Sequence, residues 1–568
     1  MKYPHIFAPL EIRGVFFKNR ILALEPPSRP SIRSGEAGQT LVDGTELLAR
    51  GGAAAVTLSQ SLSAPASAQE REDLMILIES IRCHGCVAAF RCEPAPGASR
   101  ASLSSMGQAA RGAVDMGCRM VIVSGLYTPG EPEGDPVRAA LSTLRAIRAA
   151  VGENVVVALR VPCSDADADE LAAFCAMVEP ELDMVIVAPA QQSSEFDDHG
   201  RILPLCEKFR AAVHISVAAA GGFNDPRQAE NAMLAGQCDL VAMSRQFLAD
   251  PFFVRKTAEQ REDEIVPCLR CGLCAPDAMP NEPFQCAANP RARREARLAR
   301  IEPVTRPKKV LVVGAGPAGM YAALTAAQRG HHVRLAEKEK RIGGLLRYAA
   351  ESRSKTDLRR LRDSLIARIG RSDVELCTGV SVGRKYIESY APDAVILAIG
   401  AAPTLSPIPG LAVFARHALW AYANPDALGR RILIIGGGLT GVECAMHLAC
   451  TDGREITVLE AGRDWGRDAY PSQRAAIERA LPDNVRIRTG VRCTEVRPGG
   501  AAYRARNGRR VELEADTVLY AVGMQPRRAE LAELLRAHPN TSVIGDCRSP
   551  GRLLQALRDG LFAAYDIR

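Results

Sequence analysis

Four cysteines in the middle of the chain have the spacing of a metal-cluster motif. Cys268, Cys271 and Cys274 are each separated by two residues, and Cys286 follows in the same segment just before Asn-Pro. Three closely spaced thiolates with a fourth from a more distant loop are typical of an iron–sulfur cubane. Structural zinc usually takes its thiolates as two separated close pairs, so zinc is the less favoured alternative, and surplus unbound thiols are a third. The segment therefore predicts an iron–sulfur cluster and redox chemistry.

A glycine-rich turn after the cysteine segment has the sequence of a dinucleotide-binding unit. It lies in VLVVGAGPAG (310–319), where an apolar strand runs into a helix, and the next strand ends at Glu337. Gly314 permits the tight turn, Gly316 admits a pyrophosphate, and Gly319 lets the helix pack on the strand. Glu337 can then accept hydrogen bonds from ribose hydroxyls.

The same pattern recurs in RRILIIGGGLTGVECAMHLA. Its glycines are Gly436, Gly438 and Gly441, and its acidic residue is Glu460, at the end of EITVLE. One such fingerprint is a weak signal, whereas two with matching acids predict two dinucleotide sites. The Glu460 carboxylate attracts a 2′-hydroxyl and repels a 2′-phosphate, which favours NADH, whereas Arg463 close behind it would favour NADPH.

A Gly-Asp pair near the C-terminus is a further candidate cofactor contact. Gly545 and Asp546 lie in TSVIGDCRSP, just before the final helical stretch GRLLQALRDGLFAAYDI. A turn with a helix-capping acid is the structural alternative. The functional interpretation is favoured because two dinucleotide units already frame this segment.

The first 256 residues supply a scaffold of alternating strands and helices. Short apolar runs such as CVAAFRC, MVIVSG, VVVALRV and MVIVAPA alternate with helical stretches. Strands that are apolar on both faces indicate a parallel sheet, and about eight such units in about 250 residues match a β/α barrel. The loops after strands seven and eight of such barrels form phosphate sites, and Arg245 can supply a cation there. The predicted phosphate-site residues are Gly221, Gly222, Ser244 and Arg245.

Composition excludes several function classes. A net charge of +7 over 568 residues does not indicate nucleic acid, and the basic run RARREARLAR (291–300) is interpreted as a solvated linker helix. Thirteen of the seventeen cysteines lie outside the cluster motif, often in apolar stretches such as ELAAFCAMV, which predicts reduced thiols and a cytoplasmic protein. The spacing of Cys83 and Cys86 is interpreted as coincidence. With no apolar leader and no long uncharged apolar run, neither export nor a membrane span is expected.

With a barrel, a cysteine cluster and paired nucleotide folds in this order, the chain resembles the NADH:flavin oxidoreductases of the old yellow enzyme superfamily. It is most similar to the multidomain branch of 2,4-dienoyl-CoA reductase, trimethylamine dehydrogenase and 2-enoate reductase. The opening YPHIFAPLEIRGVFFKNRI and the later GGFNDP, FLADP, REDEIVPC and CAANP carry this resemblance.

The resemblance implies three bound cofactors and a nucleotide. The barrel would bind FMN, the four cysteines would hold a [4Fe-4S] cluster, the first glycine unit would bind FAD, and the second would bind NADH. Asp546 would contact the FAD ribityl chain. Further cofactor contacts would be Pro317, Ala318, Lys338, Gly344, Gly400 and Glu443.

The resemblance also implies the division of the chain, which is α/β throughout. A TIM-type barrel of the FMN-binding kind would span residues 1–256, and the iron–sulfur segment and linker residues 257–300. An FAD-binding domain of the disulfide-reductase type would comprise residues 301–402 and 520–568. The NAD(P)H-binding domain would span residues 403–519.

The barrel departs from the family pattern at several positions. Arg91 stands where the family has a glutamine that contacts the flavin, and the loop LYTPGEPEGDP replaces a longer substrate loop. A catalytic histidine expected after MVIVAPA is missing from QQSSEFDD, and Cys274 comes one residue earlier than usual. Arg160 matches the family arginine near the flavin N1/O2 edge. Tyr127 is the remaining candidate proton donor, with packing as its alternative role.

These features predict an enzyme that passes electrons from NADH to FAD, then to the cluster, then to FMN, and finally to a small organic acceptor such as an activated C=C bond. One alternative is an NADH dehydrogenase module whose degenerate barrel docks a protein partner. Another is a non-catalytic structural paralogue. The flat helix surfaces of a barrel are compatible with an oligomer.

Overall fold

The computed structural model describes residues 2–24, 36–58, 68–94, 100–129, 136–278, 285–294, 298, 301–451 and 453–567. Residues 130–135 of the shortened barrel loop, and residues 295–297, 299 and 300 of the basic run, lie outside the described residues. Within the described ranges, no helix combines the length and apolar character needed to cross a bilayer.

Eight strands form the N-terminal part of the fold. After the antiparallel pair β1 (Leu10–Ile12) and β2 (Val15–Phe17) come β3 (Ile21–Ala23), β4 (Ala55–Leu58), β5 (Val87–Cys92), β6 (Met120–Ser124), β7 (Val156–Cys163), β8 (Met184–Pro189), β9 (Ser216–Ala220) and β10 (Leu240–Met243). From β3 to β10 each strand pairs in parallel with the next, and β10 pairs with β3, which closes the sheet. The predicted β/α barrel is confirmed.

Helices alternate with these strands and cover the barrel. They are α1 (Glu36–Arg50), α2 (Ala68–Arg82), α3 (Arg100–Asp115), α4 (Pro136–Val151), α5 (Ala168–Val178), α6 (Leu203–Ala212), α7 (Pro226–Leu234), α8 (Arg245–Ala249) and α9 (Phe253–Ala258). One face of each strand packs on the helices and the other on the barrel interior, so every residue of β6 is buried. This double burial explains the continuous apolar runs in the sequence.

The C-terminal half is richer in strands. They are β11 (Lys309–Val313), β12 (His332–Glu337), β13 (Glu375–Thr378), β14 (Ala394–Leu397), β15 (Ala401–Pro403), β16 (Arg416–His417), β17 (Arg431–Ile435), β18 (Glu455–Glu460), β19 (Val485–Thr489), β20 (Arg492–Arg497), β21 (Gly500–Arg504), β22 (Arg510–Glu514), β23 (Thr517–Tyr520), β24 (Met524–Pro526) and β25 (Thr541–Val543). The helices are α10 (Pro317–Gln328), α11 (Leu346–Ala349), α12 (Thr356–Arg371), α13 (Arg384–Tyr390), α14 (Leu411–Phe414), α15 (Ala418–Ala423), α16 (Leu439–Ala449), α17 (Pro471–Ala480), α18 (Arg528–Leu535) and α19 (Leu553–Tyr565).

These strands form two parallel five-stranded sheets that are interleaved in sequence. The first has the order β13-β12-β11-β14-β25, and the second has the order β16-β23-β17-β18-β19. β25 follows the strands of the second sheet in sequence and pairs with β14, so it completes the first sheet from near the C-terminus. Two antiparallel elements, the pair β15–β24 and the three-stranded β20-β21-β22, complete the half. The predicted pair of Rossmann-type units is confirmed, and each glycine fingerprint follows the central strand of its sheet, β11 or β17.

Candidate functional site

The four predicted cluster cysteines line one cavity between the barrel and the first nucleotide unit. Cys268, Cys271, Cys274 and Cys286 all line it, and so does Arg245. Burial raises the pKa of Cys271 to about 11 and that of Cys274 to about 12. The positive charge of an iron cluster would offset this burial and keep the sulfurs as thiolates. The all-sulfur donor set therefore fits an iron–sulfur cluster.

The cavity does not have the geometry of a single-ion site. Among the described residues, no three His, Cys, Asp or Glu side chains gather closely enough to hold one metal ion. The four sulfurs thus share a cavity without meeting at one point. A cubane spreads its ligand sulfurs around four iron atoms, whereas a tetrahedral zinc with Zn–S distances of about 2.3 Å requires a tighter group.

Cys268 lies at the boundary between this cavity and the barrel. It lines the cysteine cavity and also the cavity at the barrel mouth. Asn224, after β9, donates from Nδ2 to the Cys268 carbonyl oxygen at 2.9 Å. The Cys268 backbone N–H donates to Oε1 of Gln246, in α8, at 2.8 Å. Residues of the loop after β9 and of α8 therefore hold the backbone of Cys268 in place.

The barrel mouth holds a cavity of about 300 Å³ that is strongly cationic. Its lining includes four arginines, Arg91, Arg160, Arg245 and Arg270, and among the described residues no aspartate or glutamate lines it. Arg91 forms an ion pair with Glu93. The volume is at the lower end of the range of about 300–1,000 Å³ for ligand pockets, and the arginines suit an anionic ligand.

The four residues predicted to bind a phosphate meet at this cavity. Gly221 and Gly222 follow β9 with φ of +109° and +80°, and Ser244 and Arg245 follow β10. All four line the cavity. The Arg245 guanidinium donates to the carbonyl oxygen and Oγ of Ser193 at 2.8 and 2.7 Å, which holds its charge in position. These loops after strands seven and eight of the barrel fit a flavin phosphate.

The structure does not bring Tyr127 to the barrel cavity. Its ring stacks on Phe174 of α5, with ring centroids 4.3 Å apart and planes 13° apart. Its hydroxyl donates to Oε1 of Glu170 at 2.5 Å. Tyr127 is not among the cavity-lining residues, whereas the other predicted catalytic residue, Arg160, is. The geometry corresponds to the packing alternative, so Tyr127 is not carried into the proposed mechanism.

His199 lies farther along the loop after β8 than the expected catalytic histidine, so the family pattern does not predict it. Its Nδ1 is 2.7 Å from the carbonyl oxygen of Gly222, and its Nε2 is 3.0 Å from Oδ1 of Asp357. Both ring nitrogens are therefore engaged beside the barrel mouth, and His199 is not among the residues that line the cavity. The histidine in the strand-end loop QQSSEFDDHG was the available signal.

Asp357, at the start of α12, joins the barrel, the cysteine segment and the first nucleotide unit. It accepts hydrogen bonds from Arg270 Nε at 2.8 Å and from Asn224 Nδ2 at 2.7 Å, in addition to its contact with His199. Burial acts to raise the pKa of Asp357, but the hydrogen bond from His199 and the charge of Arg270 outweigh it and lower this pKa to about 2. The carboxylate therefore stays charged and holds three parts of the chain together.

The first glycine fingerprint has two glycines that the backbone requires and one that leaves space. Gly314 has φ of +100°, and a Cβ on Gly319 would collide with the carbonyl oxygen of Gly314. In contrast, the nearest atom to a Cβ on Gly316 would be the Gly344 Cα at 3.9 Å. The open space lies at the N-terminus of α10, where a pyrophosphate binds in such units.

Glu337 lies beneath this turn, at the end of β12. Its Oε2 accepts the Ala315 N–H at 2.8 Å, and its Oε1 accepts the Glu339 N–H at 2.9 Å. A carboxylate has about four lone-pair sites, so it can still accept hydrogen bonds from a ribose. Lys338, the next residue, is exposed.

The C-terminal Gly-Asp pair approaches the same helix end. A Cβ on Gly545 would lie 2.9 Å from the Cβ of Ala318, near the start of α10 after Pro317. Asp546 follows directly, and burial raises its pKa. Gly400, with φ of +74°, follows β14 of the same sheet. The fold thus brings Gly545 and Asp546, which are distant in sequence, next to the first fingerprint.

The second fingerprint lines a larger cavity of about 900 Å³. Gly436, Gly438, Glu443 and Glu460 are among its lining residues, and a Cβ on Gly441 would collide with the carbonyl oxygen of Gly436. The oxygens of Glu460 accept the N–H groups of the adjoining loops, at 2.7 and 2.6 Å. Glu460 is therefore fixed at the end of β18, where a ribose would lie.

A buried ion cluster connects this second cavity to the other parts of the chain. Lys355 Nζ lies 2.6 Å from Oε1 of Glu443 and 3.9 Å from Oε2 of Glu195. Burial raises the pKa of Glu195, although the charge of Lys355 opposes this. Glu195 belongs to the loop after β8, so one lysine links the barrel with both nucleotide units.

Two family models match the chain. The NADH:flavin oxidoreductase / NADH oxidase family matches residues 130–264, in the barrel. The pyridine nucleotide-disulphide oxidoreductase family matches residues 308–556, in the two nucleotide units. The first model thus covers the later strands of the barrel, and the second covers most of the nucleotide-binding half.

Curated relatives and a solved structure extend this similarity. The chain is 34% identical over 385 residues to the NADH oxidase of Thermoanaerobacter brockii, covering 66% of this chain and 59% of that protein. It is 30% identical over 396 residues to the bilirubin reductase of Mediterraneibacter gnavus, covering 67% and 61%. The chain thus spans about three-fifths of the length of these relatives. A 2-naphthoyl-CoA reductase complex has the same fold over 100% of both chains, with a TM-score of 0.90 and 23% identity.

Proposed function

Since this chain belongs to the multidomain branch of the old yellow enzyme superfamily, we propose that it passes electrons from NADH to a small organic acceptor. The proposed carriers are FAD in the first nucleotide unit, a [4Fe-4S] cluster on the four cysteines, and FMN in the barrel. An activated C=C bond is the proposed acceptor. The predicted domain boundaries are part of this proposal.

The position of Cys268 is the observation that carries the proposal. It lines the cysteine cavity and the barrel cavity at once, so a group held by its sulfur would lie directly beside a flavin in the barrel. Arg245 and Arg270 also line both the barrel cavity and the cysteine cavity. Asp357 holds the cysteine segment against the first nucleotide unit through Arg270. These contacts support one continuous path across the chain.

Each part of the path has residues suited to its role. Cys268, Cys271, Cys274 and Cys286 would hold the cluster. When bound, the flavins would exchange electron pairs with the nucleotide and the acceptor, and the cluster would pass electrons singly between them. In the barrel, Arg160 would face the flavin edge and Arg245 its phosphate.

The second nucleotide unit is proposed to bind NADH, with NADPH the weaker alternative. Glu460 is held by two backbone N–H groups at the end of β18, where its charge would repel a 2′-phosphate. Glu443 lines the same cavity and is paired with Lys355, which fixes its carboxylate.

A second candidate function is favoured by the barrel loops. Reduction of a C=C bond requires a proton as well as a hydride, and Tyr127 and His199 are the only tyrosine and histidine in the sequence of the loops that follow the barrel strands. Tyr127 bonds Glu170, and His199 contacts Gly222 and Asp357. An NADH dehydrogenase that passes electrons to a protein partner would need no such proton donor.

Anaerobic purification followed by quantification of iron, sulfide, FMN and FAD tests the proposal. We expect about four iron and four sulfide per chain, with one FMN and one FAD. Iron and FAD without FMN would support the dehydrogenase alternative. Zinc in place of iron would contradict the electron path. A chain that binds no flavin and reduces no dye with NADH would correspond to the structural paralogue.

A further inference from the structure

The nucleotide-binding half contains the same turn twice, and the two copies can be superposed through equivalent hydrogen bonds. In the first copy, the loop after β12 folds back so that the Gly343 N–H donates to the Ala315 carbonyl oxygen at 2.8 Å. In the second copy, the loop after β18 does the same, and the Gly466 N–H donates to the Gly437 carbonyl oxygen at 2.7 Å. These two contacts fix the correspondence between the loops.

The copies differ two residues beyond this contact, where the first has Leu345 and the second has Asp468. Both carboxylate oxygens of Asp468 accept the N–H of Leu439, the first residue of α16, at 3.0 and 3.2 Å. A Cβ on Gly438 would lie 3.6 and 3.7 Å from the same two oxygens. The carboxylate therefore covers both the start of the helix and the middle glycine of the fingerprint.

This is the position that a dinucleotide pyrophosphate takes in such units. The middle glycine lets the pyrophosphate approach, and the helix N-terminus favours a negative charge there. Asp468 supplies such a charge from within the chain. In the first copy the corresponding residue is the uncharged Leu345, and the nearest atom to a Cβ on Gly316 is a Gly344 backbone carbon.

We propose that Asp468 competes with the pyrophosphate of the nicotinamide nucleotide for the N-terminus of α16. The competition weakens nucleotide binding and keeps this nucleotide exchangeable, as a substrate must be. The first unit has no carboxylate at the corresponding position and retains its FAD. The inference rests on the proposed function, in which the second unit binds NADH.

The Asp468 loop carries its own reporter of this competition. Trp465 packs against the buried cluster of Val442 and Ile477, and the Arg474 guanidinium lies 5.0 Å from its ring centroid. The chain contains two tryptophans, and the other is Trp420. In a Trp420→Phe background, displacement of Asp468 by a nucleotide would therefore change the emission of a single tryptophan three residues away.

The test measures binding of NAD⁺ to the oxidised holoprotein by calorimetry, since NAD⁺ does not reduce the flavin. Asp468→Asn keeps the shape and removes the charge, and Asp468→Ala removes the hydrogen-bond acceptor as well. Both are expected to bind NAD⁺ about tenfold more tightly than the wild type. Asp464→Asn removes the same charge from the same loop, at a position that does not accept the Leu439 N–H, and is expected to stay within about twofold. Adenosine, which has no phosphate, should bind all four proteins equally.

Several outcomes would overturn the inference. Unchanged or weaker NAD⁺ binding by both Asp468 variants would mean that Asp468 does not oppose the pyrophosphate. An equal gain in NAD⁺ affinity for Asp464→Asn would mean that the gain comes from the overall charge of the loop and not from Asp468. A Trp465 emission that stays constant as NAD⁺ saturates the wild type would show that the loop does not move. If neither the wild type nor any variant binds NAD⁺ or NADH, the proposed function itself fails.

Discussion

The barrel and the nucleotide-binding half form their sites from different parts of the chain. In the nucleotide half, glycine turns, helix N-termini and backbone N–H groups form the binding surface, and Glu337 and Glu460 are held by main-chain donors. In the barrel, the surface consists of side chains from separate strand ends, among them Arg160, Asn224 and Gln246. The barrel cavity therefore depends more on individual side chains than the nucleotide sites do.

Two of the roles predicted for the barrel differ in where the structure places their residues. Its predicted phosphate-site residues meet at one cavity, as Gly436 and Gly438 do in the second nucleotide unit. Its candidate proton donor, in contrast, is stacked on Phe174 and bonded to Glu170. In the barrel, the predicted cofactor contacts therefore lie at the cavity, and the candidate proton donor lies away from it.

The largest expected effect comes from breaking the connection between the halves. Cys286→Ser should leave NADH-driven reduction of a dye at the FAD unit close to the wild-type rate. It should slow reduction of the barrel flavin by at least about a hundredfold, because losing a metal ligand costs more than losing a residue that only contacts a ligand. Anaerobic stopped-flow absorbance separates the two steps. Cys450→Ser, at an exposed cysteine, is the control. Unchanged barrel reduction in Cys286→Ser would mean that electrons do not pass through this segment.

The next effect concerns the contact that holds the halves together. Asp357→Asn leaves the buried Arg270 without a charged partner and should lower the free energy of unfolding by about 3 to 5 kcal/mol. Since the fold lowers the pKa of Asp357 from 3.8 to about 2, its contribution is present above pH 3.8 and is lost as the pH falls toward 2. Denaturant unfolding at neutral and acidic pH measures both effects.

A matched substitution on the same helix is the control for this prediction. Asp363→Asn, at an exposed aspartate of α12 that pairs with Arg362, should change the unfolding free energy by no more than about 1 kcal/mol. If Asp357→Asn unfolds no more easily than Asp363→Asn, the junction at Asp357 does not hold the barrel and the nucleotide half together.

A moderate effect is expected within the nucleotide half. Glu460→Gln should lower the ratio of kcat/KM for NADH to that for NADPH about tenfold, because the repulsion of a 2′-phosphate is removed. Turnover with both nucleotides at equal concentration measures the ratio, and Glu455→Gln, at the exposed start of the same strand, is the control. A wild type that strongly prefers NADPH would instead assign the specificity to Arg463 and contradict the NADH proposal.

The same contrast explains what could be predicted from the sequence. Gly314 and Gly436 were predictable because a turn with positive φ between strand and helix leaves a local pattern, and the barrel strands were predictable because double burial makes them continuously apolar. The contacts of Asp357 and Lys355 with the barrel were not predictable, because each contact joins residues that are more than a hundred positions apart and follow no periodicity. Side-chain orientation, as at Tyr127, depends on such packing.

The smallest expected effect decides whether the barrel has kept acid catalysis. Tyr127→Phe should change turnover with an enone or enoate acceptor by less than about twofold, because the hydroxyl bonds Glu170 and does not face the cavity. The lost hydrogen bond should lower the free energy of unfolding by about 1 kcal/mol. Steady-state rates at saturating NADH measure the turnover. Arg160→Lys is the comparison and should lower turnover through the barrel flavin. A loss of more than tenfold in Tyr127→Phe would place the hydroxyl in the reaction. The barrel would then hold a complete reductase site, and the difference between the two halves would lie in their architecture alone.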